Sequence, residues 1–147
     1  MIEQRSLADQ LALYVCRLAF YFPLLVCTYL ALVPEPPDNP VFRLGDVILH
    51  AAAFAYLTFA FVLMMPTTID RTIGLDCKLA IRATLVMFGY GVFLELVQSL
   101  IPERTAELKD LGVDLLGIGG GLLLAVLLAG SIARLLRAVG RILTGGR

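Results

Sequence analysis

The sequence predicts an all-α membrane protein: four transmembrane helices in a small bundle, followed by an amphipathic C-terminal extension. Three observations lead there. The 147 residues are 59% hydrophobic and only 16% charged, with a mean hydropathy of +0.87, far more apolar than a soluble domain of this size. Four apolar runs each reach the roughly 20 residues that a helix needs to cross a hydrocarbon core of about 30 Å. Most of the charged residues and all but one of the prolines fall between those runs or at the chain ends.

The first run, residues 11–33, contains Arg17 and Pro23. It ends at VPEPPDNP (33–40), whose prolines make a stiff extended connection rather than a helix. The second run covers 44–65 and is followed by the polar loop PTTIDRTIGLDCK (66–78). The third covers 79–101, and the densely charged PERTAELKD (102–110) leads to the fourth, 111–128. Beyond it, SIARLLRAVGRIL carries Arg134, Arg137 and Arg141 at helical spacing. That pattern predicts a tail, 131–147, that leaves the membrane as an amphipathic helix lying along its surface. The chain reads as a single domain.

The polar N-terminus MIEQRSLADQ and the length of the first run do not fit a cleavable signal peptide. Cys16 and Cys27 stand about three turns apart on one predicted helix and cannot bridge, and Cys77 falls in a loop, so the cysteines read as packing residues. A formal net charge of zero and the lack of a basic run with aromatics give no case for nucleic acid.

Lysine and arginine counts set the expected orientation. Arg5, Arg71, Lys78, Arg82, Arg134, Arg137, Arg141 and Arg147 fall on one side, and Arg43, Arg104 and Lys109 on the other. The excess of eight over three predicts cytoplasmic N- and C-termini.

Within that topology the ionisable residues converge. Asp46 and His50 open the second helix, Glu95 and Gln98 close the third, and Asp110 and Asp114 open the fourth. Each pair has the three- or four-residue spacing that shares a helix face. All three pairs reach one level near the outer leaflet, with Arg104 as a counter-charge. Charges at membrane depth cost several kcal/mol unless paired or wetted, so these residues form a candidate polar cluster or binding site. The bland alternative is that Asp46, Asp110 and Arg104 snorkel or cap helix ends.

Gly117, Gly121, Ala125 and Ala129 recur every four residues, a small-residue ridge for close helix packing, with Ala51 and Ala55 as a possible complementary surface. IGGG lacks the frame of a phosphate loop and lies within a span.

Three fragments, D-VIL-H-AAAFAY (46–56), E-LV-Q-SLIPE-R-T (95–105) and D-LGV-D-LLGIGGG (110–121), together resemble the VanZ-like family of small bacterial membrane proteins. The resemblance spans roughly residues 44–125. It matches the family's characteristic positions at Asp46, His50, Glu95, Gln98, Arg104, Asp110, Gly117 and Gly121. Val47 stands where the family usually has lysine, and Asp114 where it has asparagine, which makes this pocket more acidic. The family is named for a protein linked to teicoplanin resistance, so the resemblance implies an envelope-facing membrane protein, with glycopeptide resistance as an analogy.

Two functions follow as expectations. The first is a non-catalytic binding or accessory protein, or a small subunit of a larger membrane complex. Its partners would be membrane lipids, other membrane subunits, or an amphiphilic or lipid-linked ligand. The second is an intramembrane enzyme acting on a lipid-linked envelope substrate, with His50 as general base oriented by Asp46 and Glu95, or with a metal held by those three together with Asp110 and Asp114. A single histidine, no HExxH and no cysteine near the site favour the first, with no catalytic residue, metal or cofactor assigned. Because the polar residues sit on one side only, a through-membrane ion path is disfavoured.

Overall fold

A computed structural model describes residues 6–33, 46–65, 75–102 and 108–145, with the side chains of Asp46 and Leu108 excepted. The described residues form four helices and no strand: α1 (Leu7–Leu32), α2 (Asp46–Met64), α3 (Cys77–Gln98) and α4 (Leu108–Leu143). All four are long and apolar enough to cross a membrane, which makes this a multi-pass membrane protein. Their outer faces carry Phe22, Leu25, Leu85, Leu116 and Leu127, all more than half exposed, as lipid-facing side chains should be.

Contacts between the helices fix their directions. Gly117 and Gly121 of α4 meet Ala51 and Ala55 of α2 in ascending order, so these two helices run parallel. Thr28 and Ala31 of α1 meet Tyr90 and Gln98 of α3 in the same sense. Gly140 of α4 meets Ala8 of α1, so the first and last helical turns lie at one end. The other end gathers the start of α2 and α4 with the finish of α1 and α3. We call these the basic end and the polar end.

α2 is the most enclosed helix: Leu57, Thr58 and Val62 have no exposed surface, and Phe54, Ala60 and Phe61 are nearly as buried. It packs mainly on α4, whose buried face is one stripe of Asp110, Asp114, Gly117, Gly121, Ala125, Ala129, Ala133 and Gly140. In lipid there is little hydrophobic drive between helices, so association depends on close backbone approach. A Cβ built on Gly117 would lie 2.5 Å from the Ala51 carbonyl oxygen, and one on Gly121 would collide with that of Ala55. The glycine hydrogens in those places therefore point at carbonyl oxygens, the arrangement of Cα–H···O contacts.

Two boundaries differ from the sequence reading. α1 begins at Leu7, where the Ser6 hydroxyl accepts from the Asp9 amide as N-cap. α4 continues past residue 128 without a break. It runs on as one helix of 36 residues, about 54 Å long. The small residues Ala129, Ala133 and Gly140 continue its buried stripe, and Gly140 seats it on the first turn of α1.

Pro23 lies inside α1 without ending it. Proline has no amide hydrogen, so the Ala19 carbonyl loses its helical donor. The Tyr56 hydroxyl of α2 donates to that oxygen at 2.7 Å, meeting the requirement that backbone groups be satisfied within a bilayer. Tyr56→Phe should therefore lower stability by about 1 kcal/mol, readable as an earlier midpoint in detergent unfolding. A Pro23→Ala background, which restores the Ala19 donor, should shrink the loss.

Candidate functional site

The polar end is built from one layer to which every helix contributes. From α4, Asp114 points into the bundle and is 2% exposed. Its Oδ1 lies 3.1 Å from Nδ1 of His50, one turn into α2. The donor and acceptor roles in this contact follow the imidazole tautomer. From α3, Gly91 leaves room for the other carboxylate oxygen: a Cβ there would stand 2.7 Å from Asp114 Oδ2. The Phe54 ring, one turn below His50, closes the floor, 3.3 Å from the same Cβ position.

α1 joins through Thr28. Its hydroxyl donates to the Leu24 carbonyl at 2.7 Å, so the Tyr90 hydroxyl, 2.9 Å away, donates to Thr28 Oγ1. The Tyr90 ring packs on Phe54 with centroids 5.8 Å apart. Below this aromatic floor the shared interior is apolar, with Leu57, Phe61, Met87 and Ile118 buried. Thr58 is the one buried polar side chain there among the described residues.

Above the layer, the antiparallel register of α3 and α4 that sets Gly91 against Asp114 brings Glu95 level with Asp110, one turn nearer the polar end. Glu95 is 9% exposed and Asp110 6%. Gln98 is also buried, and its amide donates to the Ala31 carbonyl at 3.0 Å. That oxygen belongs to the last turn of α1, which has no helical donor of its own, so Gln98 acts as a cap between helices.

Of the residues singled out in the sequence, the structure thus joins His50 to Asp114, buries Glu95 and Asp110 in the same end, and uses Gln98 to tie α3 to α1. Asp46 is the first residue of α2, but its side chain lies outside the described set, as does the whole of Arg104. Among the described residues, no three His, Cys, Asp or Glu side chains are grouped to hold a metal ion.

Gly91, Phe54, Tyr90 and Thr28 were not singled out in the sequence. Gly91 was the most accessible: it stands one turn before Glu95 on the same face. Gly91→Ala should displace the Asp114 carboxylate or open the α3–α4 contact. We expect a loss of about 1–3 kcal/mol, measured by detergent unfolding. Gly89→Ala, where a Cβ meets nothing within 4 Å, serves as the neutral control.

No protein-family model, curated protein or solved structure matches the chain.

Proposed function

We propose that this chain is a VanZ-like, envelope-facing protein of the bacterial inner membrane, with both termini cytoplasmic, that works by binding rather than catalysis. Its polar end would receive the head group of an amphiphilic or lipid-linked envelope molecule, or the polar part of a partner subunit.

The observation that carries this reading is the His50–Asp114 pair at 3.1 Å, in which a half-buried His50 meets Asp114, buried with Glu95 and Asp110 at one end of an otherwise apolar bundle. Ionisable groups are costly at this depth and persist in membrane proteins mainly where they act. The aromatic floor of Phe54 and Tyr90 supports a dead-end recess over a path through the membrane.

The test is native mass spectrometry of the protein extracted gently from its own membrane. The binding reading expects a stoichiometric added mass, either a lipid-linked molecule or a second polypeptide. A chain that flies bare under conditions that preserve known lipid complexes would overturn it.

A second reading, an intramembrane enzyme, is favoured by the same pair, because a carboxylate on Nδ1 orients an imidazole as a general base. His50→Gln separates the two. Binding alone predicts a change in what is retained with no accumulated precursor, whereas catalysis predicts a retained substrate of altered mass.

A further inference from the structure

The basic end carries a feature that the polar-end function does not use. Where Gly140 seats α4 on Ala8, a depression of about 250 Å³ opens between the first turn of α1 and the last turns of α4. It is lined by Ser6, Ala8, Asp9, Arg137 and Arg141. Arg137 and Arg141 are one turn apart on α4, so their guanidinium groups reach the same space. Among the described residues, neither has an ion-pair or hydrogen-bond partner. Asp9 is engaged with the cap, its carboxylate accepting from the Ser6 hydroxyl at 2.7 Å.

We propose that this depression binds an anionic phospholipid of the phosphatidylglycerol type. Two arginines and one aspartate leave a single net positive charge, which one phosphodiester neutralises. Each guanidinium can donate to a separate non-bridging oxygen, and the head-group hydroxyls find an acceptor in Asp9. A zwitterionic choline lipid would leave the positive charge uncompensated and has no hydroxyl to offer.

The position along the bundle suits a lipid. α4 is about 54 Å long against a hydrocarbon core of about 30 Å, so its last turns reach head-group level. Beside the depression, Leu7, Leu11 and Val139 are exposed on the two helices, an apolar flank for acyl chains.

The experiment is native mass spectrometry of the full chain released from phosphatidylcholine nanodiscs doped with phosphatidylglycerol. The wild type should retain phosphatidylglycerol well above its share of the bilayer. Each of R137Q and R141Q should weaken retention about fivefold, the worth of one cation near an anionic lipid surface. R17Q, which removes an exposed charge on α1 outside the depression, should leave retention unchanged. Three results would overturn the proposal: no enrichment over phosphatidylcholine, equal retention in the R137Q/R141Q double variant, or a loss in R17Q as large as in R137Q. Both arginines are surface residues, and an unchanged unfolding midpoint verifies that the variants are folded.

Discussion

Leucine at Gly121 should prevent the bundle from assembling. The position faces the backbone of α2: a single Cβ collides with the Ala55 carbonyl oxygen and comes within 2.7 Å of Thr58 Cβ. A backbone carbonyl cannot rotate away as a flexible side chain can, so the helices must separate. Gly121→Ala alone should cost about 1–3 kcal/mol, and the larger leucine should leave little folded protein. Gly117→Ala should behave similarly, since its Cβ would approach the Ala51 carbonyl oxygen and Phe54 Cβ. Gly112 and Gly119, on the same helix, meet nothing within 4 Å. Alanine there should be neutral or stabilising by up to about 1 kcal/mol, through helix propensity alone. The chain has no tryptophan, so the series is best read by circular dichroism during titration with a denaturing detergent. A Gly121→Leu variant with the wild-type midpoint would show that α2 and α4 do not meet on this ridge.

The second large effect belongs to Asp114. Asp114→Ala removes the buried partner of the half-buried His50 imidazole and opens a void against Gly91 and Phe54. Breaking a buried pair by removing one partner costs about 3–5 kcal/mol when both are charged, and about 1–3 kcal/mol when a neutral donor is left unsatisfied. Asp114→Asn keeps an oxygen for Nδ1 within nearly the same volume and should stay close to wild type in stability. The contrast between alanine and asparagine separates hydrogen bonding from charge. If Asn matches wild type in stability yet loses the retained mass, the negative charge serves binding. If Asn and Ala are equally unstable, the charge itself holds the bundle together.

The legibility of this molecule follows from which forces act locally. Span number and placement came from length and hydropathy, because a bilayer imposes one length on every helix. The Gly117–Gly121 repeat was readable because a four-residue period of small residues has few uses inside a membrane. The packing of the last turns of α4 was not legible, for a physical reason. Arg134, Arg137 and Arg141 marked an amphipathic stretch, but Gly140, beside Arg137, packs on Ala8 of α1, and that contact lies outside any local window. Gln98 was placed in the cluster by its spacing from Glu95; that its amide also caps α1 was not legible, because that role is set by where a distant helix ends. Pro23 announced an orphaned carbonyl at Ala19, but only the packing of α1 on α2 could identify Tyr56 as its donor. Gly91 escaped because its role is to be small beside a carboxylate on another helix.

The most direct test of the central claim, that the buried polar end exists to bind, compares the wild type with Glu95→Gln by native mass spectrometry from the same membrane. Glutamine keeps the volume and hydrogen-bonding capacity while removing the charge, so the variant should fold. The account predicts a stoichiometric added mass on the wild type and its loss from a folded variant. Apart from any phospholipid held at the basic end, an identical added mass on both proteins, or none on either, would contradict it and leave the cluster as a device of folding.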